Sequence, residues 1–182
     1  DIPLMAGVGS SSTAEAIELV ECSLKNGIKK CLAVTPYYNK PSQKGLELHY
    51  IELSKVGAEI ILYNVPGRTG VDLLPTTIEK LIEIKTIAGI KEAVNTEERF
   101  LALSKIKDKR QDFQLYSGDD PSYVEFMKFK GDGVISVAAN VMPREIKELS
   151  NLCLAGNFIE AEKTIKNYQE IFKLLFTESS PS

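Results

Sequence analysis

The stretch Ile84–Glu92, IKTIAGIKE, decides how the rest of the chain is interpreted. Its apolar centre predicts a buried strand, and Lys91 stands at the carboxyl end of that strand. Burial disfavours the charged form of a lysine and lowers its pKa, so the amine becomes a usable nucleophile toward a carbonyl group. A single lysine at a strand end is more commonly a side chain whose stem lies on apolar surface. A chemical role for Lys91 therefore requires suitable residues at the ends of the neighbouring strands.

The composition is that of an ordinary globular protein. Of the 182 residues, 43% are hydrophobic and 26% are charged, which is enough apolar material for a sizeable core. The 22 Lys and Arg residues are outnumbered by 25 Asp and Glu residues. No basic groove is indicated, so we do not expect nucleic acid as a partner. The apolar runs are far shorter than the roughly 20 residues of a membrane span, so we expect no membrane association.

The cysteine and histidine content argues against a metal centre. Cys22, Cys31 and Cys153 are an odd number without short spacings, and His49 is the only histidine. Such a sequence offers too few ligands for a zinc site. Each cysteine stands among apolar residues, which predicts reduced thiols in a core and a cytoplasmic protein.

Short apolar runs alternate with amphipathic segments along the whole chain, which we treat as a single unit over residues 1–182. The runs lack in–out alternation, as is typical of parallel strands that are covered on both faces. The segments between them carry helix-capping residues, such as Ser12 before Glu15. A last helix is predicted from about residue 157 to residue 176. The predicted strands are residues 2–6, 30–34, 59–63, 86–90, 113–116 and 133–137.

Two architectures fit six βα units: a doubly wound open sheet and a (β/α)8 barrel. The strand count favours the open sheet, because a barrel needs eight strands. The strand ends favour the barrel, because in a barrel all carboxyl ends meet on one face, whereas an open sheet gathers ligands at one switch point. Polar or glycine-rich segments follow all six predicted strands: GVGSSS at 7–12, TPYYN at 35–39, YNVPGRTG at 63–70, KE at 91–92, SGDD at 117–120 and SVAAN at 136–140.

Three of these strand-end residues form a coherent chemical set. Taken singly, Tyr63 is more commonly a core tyrosine and Arg68 a solvated turn residue. Together with Lys91 they suggest chemistry on a keto acid. Lys91 would form a Schiff base, Tyr63 would move protons to and from the carbonyl, and Arg68 would hold a carboxylate through two hydrogen bonds. This chemistry needs no cofactor.

The strings VTPYYNKP, YNVPGRTG and GIKEA, with GVGSSSTAEAIEL, YSGDD and GVISVAANVMP, occur in the order in which the dihydrodipicolinate synthase family carries them. The chain therefore resembles that family. The resemblance implies a (β/α)8 TIM barrel of the class I aldolase type, which condenses pyruvate with aspartate-4-semialdehyde in lysine (diaminopimelate) biosynthesis. It implies that Lys91 is the Schiff-base lysine, that Tyr63 protonates and deprotonates the imine intermediate, and that Arg68 receives the carboxylate of the semialdehyde.

The resemblance also implies roles for residues that the sequence alone would not single out. Tyr38 would reach into a neighbouring subunit and complete the proton relay there, and the backbone of Ile135 would meet the pyruvate. Members of the family are usually homotetramers built as dimers of dimers. Some bind lysine as a feedback inhibitor at the dimer interface, where Glu15 and Tyr37 match contact positions. Ser11 stands where many lysine-sensitive members carry Asn.

The resemblance covers strands three to eight of the barrel, and no Gly-Thr-Thr-Gly-Glu segment, whose threonines bind pyruvate in the family, occurs in this sequence. We therefore expect a truncated member with an incomplete barrel, which contains six βα units and the start of a C-terminal helical extension. Open parallel edges predict poor stability for such a piece alone. Two other interpretations stay open: a pyruvate-dependent sugar-acid aldolase such as N-acetylneuraminate lyase, and a non-catalytic fragment. Arg68 and the Tyr37-Tyr38 pair favour the synthase.

Overall fold

The computed structural model describes residues 2–178, and within them it confirms the alternation of strands and helices. All neighbouring strands pair in parallel, and their order in the sheet is their order in the sequence. A doubly wound sheet would reverse its strand order at a switch point, whereas a barrel keeps it. The fold is therefore an incomplete (β/α)8 barrel. Its strands are β1 (Met5–Gly7), β2 (Lys30–Val34), β3 (Glu59–Asn64), β4 (Ile87–Glu92), β5 (Gln114–Ser117) and β6 (Gly133–Val134).

Several helices begin or end at residues that the sequence marks. Ser12 accepts a hydrogen bond from the backbone N–H of Glu15 and begins the first helix, and Gly27 follows that helix with φ +79°. Pro75 and Pro143 each stand in the first turn of a helix, where their missing N–H is not needed. The helices are α1 (Thr13–Lys25), α2 (Gln43–Ser54), α3 (Pro66–Thr69), α4 (Pro75–Leu81), α5 (Glu97–Lys109), α6 (Tyr123–Lys128), α7 (Pro143–Leu154), α8 (Phe158–Lys166) and α9 (Gln169–Leu174), with a 3-10 turn at Ala138–Asn140.

The predicted single helix from about 157 to 176 is wrong in one respect, because the structure divides it into α8 and α9. Asn157 caps α8, as its position indicates, by accepting from the backbone N–H of Glu160. The helix then ends where the backbone N–H groups of Asn167 and Tyr168 bond to carbonyls only three residues back, at 3.1 and 3.0 Å. Asparagine competes for backbone hydrogen bonds and is a poor residue for a helix interior, which is consistent with a break at this position.

The sheet uses its two faces differently. Alternate residues such as Cys31, Ile60, Leu62 and Ile90 pack against the helices in the main apolar core. The residues between them point to the opposite face, which is the interior of the barrel. On that face the register pairs Tyr63 of β3 directly with Lys91 of β4. The sheet therefore places these two side chains next to each other at its carboxyl edge.

Two expectations from composition can be compared with the structure. Cys31 and Cys153 are buried as predicted, but Cys22 is exposed. The buried positions of α1 include Ala16 and Val20, one helical turn apart, and Cys22 falls on the other face of the helix. Across residues 2–178, no helix combines the length and the hydropathy that crossing a membrane requires.

Candidate active site

Lys91 occupies the carboxyl end of β4 and is 8% exposed. Burial lowers the pKa of its ammonium group, the carboxylate of Asp120 opposes that shift, and the guanidinium of Arg68 adds to it. The strand can lie this close to β5 because residue 89 is a glycine: a Cβ there would stand 2.5 Å from the carbonyl oxygen of Gln114. A larger fraction of the Lys91 amine is therefore unprotonated at neutral pH than for a surface lysine.

Tyr63 is the neighbour of Lys91 across the β3–β4 pair. The Nζ atom of Lys91 lies 4.3 Å from the centre of the Tyr63 ring. Burial raises the pKa of the Tyr63 phenol, and the nearby charge of Arg68 opposes this shift. The phenol therefore keeps its proton at neutral pH and can donate it to a group held beside Lys91.

Arg68 is carried by the one-turn helix α3, which follows β3 directly and ends at Gly70 with φ +73°. It lines a cleft of about 910 Å³ together with Tyr63, Tyr38 and Lys40. Arg68 also acts electrostatically on both Lys91 and Tyr63, because its charge lowers the pKa of each. The amine, the phenol and the guanidinium that the sequence analysis combined thus meet at one edge of the sheet.

The loop after β2 holds Tyr38 away from the body of the chain. The Tyr38 side chain is 92% exposed, and its backbone has φ +74°, while Lys40 has φ +45°. Positive φ is uncommon in residues other than glycine and is concentrated at functional sites. Such a projecting side chain has the exposure that contact with a second subunit needs. Its role between subunits stays a prediction.

The three residues considered for regulation lie around the amino end of α1 and the same loop. Ser10 donates a hydrogen bond to the carboxylate of Glu15 at 2.6 Å, and the side-chain amide of Asn39 donates to the carbonyl of Ser11 at 2.9 Å. Tyr37 lines the cleft beside Tyr38. The segment before α1 is therefore bonded to the TPYYN loop. Lysine binding there stays a prediction.

Ile135 lies directly after β6, which ends earlier than predicted. Its backbone N–H donates to the carbonyl of Ser117 at 2.9 Å, so the chain keeps its alignment with β5 for one more residue. β5 in turn pairs with β4, where Lys91 stands opposite Tyr116. Ile135 is thus two strands away from Lys91 in the sheet. Its contact with pyruvate stays a prediction.

Asp120 is a residue of this site that sequence reasoning missed, because the Asp119-Asp120 pair is most simply interpreted as a helix cap. No side chain caps α6, and Asp119 instead accepts from the backbone N–H and the hydroxyl of Ser122, the residue before the helix, at 3.0 and 2.5 Å. Asp120 is buried instead, accepts from the backbone N–H groups of Val137 and Ala138, both at 3.0 Å, and is the negative charge that acts on Lys91. Its place after β5, at the carboxyl edge of the sheet, was the available signal.

A second group of residues was missed because nothing in the sequence links them. The side chains of Asn64, Asp72, Glu92 and Arg99 form a hydrogen-bonded cluster on the helix side of β3 and β4. Asn64 directly follows Tyr63, and Glu92 directly follows Lys91. Burial raises the pKa of Glu92 to about 7, against the opposing effects of Arg99 and the hydrogen bonds from Val94 and Asn64. Charged residues of this kind ordinarily indicate a solvated surface.

The potential metal-ligating side chains of the described residues do not gather at this site. Among residues 2–178, no three His, Cys, Asp or Glu side chains come together as possible metal ligands. The groups that the structure does bring together are an amine, a phenol, a guanidinium and a carboxylate. This set can form an imine with a carbonyl compound, transfer protons and bind an anionic substrate group.

Comparison with known proteins adds independent evidence. The whole chain, residues 1–182, matches the family model described as Dihydrodipicolinate synthetase family. A 4-hydroxy-tetrahydrodipicolinate synthase from Buchnera aphidicola subsp. Schizaphis graminum is 44% identical over 181 residues, which are 99% of this chain and 61% of that relative. The chain therefore spans about three-fifths of the length of the curated relative.

Solved structures agree with the sequence matches. The dihydrodipicolinate synthase of Thermotoga maritima superimposes with a TM-score of 0.95 at 39% identity, over 99% of this chain and 62% of that one. The chloride-inhibited dihydrodipicolinate synthase of Acinetobacter baumannii, in complex with pyruvate, gives a TM-score of 0.92 at 41% identity, again over 99% and 62%. The six-stranded sheet described above is thus similar to the corresponding part of these enzymes.

Proposed function

Since the chain belongs to the dihydrodipicolinate synthetase family, we propose that it carries the Schiff-base centre of a 4-hydroxy-tetrahydrodipicolinate synthase. The reaction would condense pyruvate with aspartate-4-semialdehyde in lysine (diaminopimelate) biosynthesis, in the cytoplasm. One observation carries the proposal: the amine of Lys91 is buried, with its pKa lowered, 4.3 Å from the ring of a tyrosine whose pKa is raised.

In the proposed first step, the unprotonated amine of Lys91 attacks the keto carbon of pyruvate. A C–N bond forms, the carbonyl oxygen accepts protons and leaves as water, and an imine remains on Lys91. Tyr63 is the group proposed to supply and later recover a proton. Loss of a proton from the methyl carbon of the imine gives an enamine, whose carbon then attacks the aldehyde of the second substrate.

The second substrate brings a carboxylate, for which Arg68 is the proposed partner. A guanidinium binds a carboxylate through two parallel hydrogen bonds, which a lysine cannot do.

The proposed assembly is a homotetramer, a dimer of dimers, in which Tyr38 of one subunit completes the proton relay of its neighbour. The backbone of Ile135 is the proposed contact for pyruvate. A regulatory lysine would bind at the positions of Glu15, Tyr37 and Ser11.

The pyruvate step can be tested on this chain by borohydride reduction in the presence of pyruvate, followed by peptide mass analysis. We expect one reduced pyruvate adduct, located on Lys91. Lys91→Arg keeps the charge but cannot form an imine, so the adduct should disappear. Lys85→Arg, at the exposed amino side of the same strand, is the matched control and should keep it. No adduct in a folded preparation of the unsubstituted chain would support the non-catalytic interpretation.

A separate assay distinguishes the synthase from a sugar-acid aldolase, because both would use Lys91 and Tyr63. The whole enzyme would be offered pyruvate with aspartate-4-semialdehyde, and in parallel N-acetylneuraminate for cleavage. Condensation with the semialdehyde is the expected result. Activity on the sugar acid alone would contradict the proposal, and it would also leave the role given to Arg68 without support.

A further inference from the structure

The ends of β3 and β4 present different chemistry on their two faces. Tyr63 and Lys91 point into the barrel, whereas the next residues, Asn64 and Glu92, point to the helix side. The side-chain amide of Asn64 donates to both oxygens of Glu92, at 3.0 and 3.2 Å. The strand pairing that sets Tyr63 beside Lys91 is therefore reinforced one residue further along, by the side-chain hydrogen bonds between Asn64 and Glu92.

The same amide also reaches the segment that follows Arg68. Asn64 donates to Asp72 at 2.7 Å, and its carbonyl oxygen accepts from the backbone N–H of Leu73 at 2.9 Å. Arg99 approaches from α5, and donates to the carbonyl of Leu73 at 2.9 Å and to Asp72 at 2.5 Å. Leu73 is thus held through both its N–H and its carbonyl. The segment between Arg68 and α4 is therefore hydrogen-bonded both to Asn64 of β3 and to Arg99 of α5.

Arg99 completes the connection to β4. Its guanidinium donates to Glu92 at 3.2 Å, and the other oxygen of Glu92 accepts from the backbone N–H of Val94 at 2.7 Å. Glu92 is 1% exposed, and Arg99 is also buried. Buried polar groups of this kind are rigid when every member is bonded, because the alternative is an unpaired group in an apolar surrounding.

We propose that Asn64, Asp72, Glu92 and Arg99 form a positioning cluster, which fixes the guanidinium of Arg68 relative to the amine of Lys91 and the phenol of Tyr63. The proposal rests on the function proposed above, in which these three groups act on the substrates. None of the four cluster residues needs to touch a substrate. They act through β3, β4 and the segment after α3.

The pKa of Lys91 can distinguish a positioning role of the cluster from a purely stabilising one. The charge of Arg68 lowers this pKa, so the pKa reports how closely Arg68 is held to the amine. The charged and titratable groups that act on this amine are Arg68 and Asp120, beside the ring of Tyr63. Removing the charge of Arg68 should raise the pKa of Lys91, and the size of the rise depends on how closely Arg68 is held. A cluster that only stabilised the fold would leave that rise unchanged in any folded variant.

The experiment is a double-mutant cycle on this chain with the pKa of Lys91 as its readout. Limiting fluorodinitrobenzene labels the amines across a pH series, and the Lys91 peptide is quantified by mass against that of exposed Lys147. Four chains are compared: the unsubstituted chain, Arg68→Gln, Asp72→Asn and the double variant. Asp72→Asn retains the shape of the side chain but removes the ion pair with Arg99. Asp112→Asn, at an exposed carboxylate that pairs with Arg110 outside the cluster, is the matched control.

We expect Arg68→Gln to raise the pKa of Lys91 equally in the unsubstituted and Asp112→Asn chains, because a positive charge that disfavours the ammonium form is removed in both. In the Asp72→Asn chain the rise should be less than half as large. Arg99→Lys, which keeps the charge but loses the planar fork, should reduce it similarly and serves if Asp72→Asn does not fold. An equal rise in all folded backgrounds, or no rise in any, would overturn the proposal.

The labelling cycle does not involve pyruvate, so it separates this inference from the proposed function. Absence of a pyruvate adduct together with a reduced rise in Asp72→Asn would leave the cluster as a positioning device and reject the Schiff-base chemistry. A pyruvate adduct on Lys91, together with equal rises of the Lys91 pKa in all backgrounds, would support the Schiff-base chemistry and reject the positioning cluster.

Discussion

Lys91 and Glu92 are consecutive residues at the end of β4, and the fold treats their charges in opposite ways. Both are almost fully buried, at 8% and 1% exposure. Glu92 accepts hydrogen bonds from Asn64, Arg99 and the backbone of Val94, whereas Lys91 makes no ion pair among the described residues and lies over the ring of Tyr63.

The difference shows how one strand end can be both rigid and reactive. Burial favours the neutral form of each group. It lowers the pKa of Lys91 and raises the pKa of Glu92 to about 7. Only the carboxylate has a direct counter-charge, supplied by Arg99. A buried group without compensation is destabilising and chemically available, while a bonded one holds the backbone in place.

The largest expected effect comes from removing the charge that compensates Glu92. Arg99→Met leaves Glu92 and Asp72 without their guanidinium, and we expect a loss of about 3–5 kcal/mol in the free energy of unfolding, the usual range for breaking a buried ion pair. Urea unfolding at neutral pH measures it. Arg144→Met, at an exposed position of α7, should change stability by less than about 0.5 kcal/mol. Similar values for the two variants would contradict the description of the cluster as buried and bonded.

The next effect is a dependence of stability on pH that belongs to Glu92. Its pKa is about 7 in the folded chain against an ordinary value of 4.5, so the folded state binds the proton more tightly. Stability from this group is therefore present below about pH 4.5 and is lost as the pH rises toward 7, by up to about 3 kcal/mol. The pH dependence of urea unfolding, compared between the unsubstituted chain and Glu92→Gln, should show this loss only in the former.

His49 must be separated from Glu92 in that measurement, because it acts in the opposite direction. Burial lowers the pKa of His49 to about 4 from 6.5, so its contribution to stability grows as the pH rises from about 4 to 6.5. The difference between the unsubstituted chain and Glu92→Gln cancels it, since both contain His49. A difference curve that is flat from pH 5 to 8 would show that Glu92 does not titrate in this range.

A smaller effect of opposite sign is expected at Lys91. Lys91→Met replaces a buried amine, whose burial Asp120 offsets only in part, with an apolar side chain of similar length. We expect the chain to become more stable by about 1 kcal/mol, as is common when a reactive group is removed from its site. The same variant should lose the pyruvate adduct completely. Lys85→Met, in the exposed part of the chain before β4, should do neither. A destabilised Lys91→Met chain would show that the attraction of Asp120 outweighs the cost of burying the amine.

The two faces of β4 also differ in how far the sequence could predict them. β2 begins and ends at the predicted residues, Lys30 and Val34, and Lys91, Tyr63 and Arg68 stand in segments that close or follow apolar runs. Such residues can be combined without a structure, since the carboxyl ends of barrel strands converge. Asn64, Asp72, Glu92 and Arg99 could not be combined in this way. The strand register pairs Asn64 with Glu92. Asp72 lies in the segment before α4 and Arg99 lies in α5, and only the tertiary fold brings these two residues to that pair.

Local competition between backbone conformations explains the remaining differences. The hydrophobic pattern predicted neither the division of the last helix at Asn167 nor the early end of β6 at Val134. The backbone N–H of Asn167 bonds three residues back, and that of Ile135 still reaches Ser117 although the strand has ended. Apolar periodicity establishes that such elements exist, but it does not establish their last residues.

The smallest effect concerns Asp120, whose carboxylate partly restores the charge that burial removes from Lys91. Because Asp120 raises the pKa of Lys91, Asp120→Asn should lower it further, since the opposing negative charge is lost. Labelling of Lys91 with limiting fluorodinitrobenzene across pH measures the shift. Asp119→Asn is the matched control, since Asp119 bonds to Ser122 and is not among the charges that act on Lys91. Equal shifts in both variants would mean that Asp120 influences the amine only through the shape of its loop. A shift in Asp120→Asn alone would make Lys91 a group whose reactivity is set by one opposing charge as well as by burial.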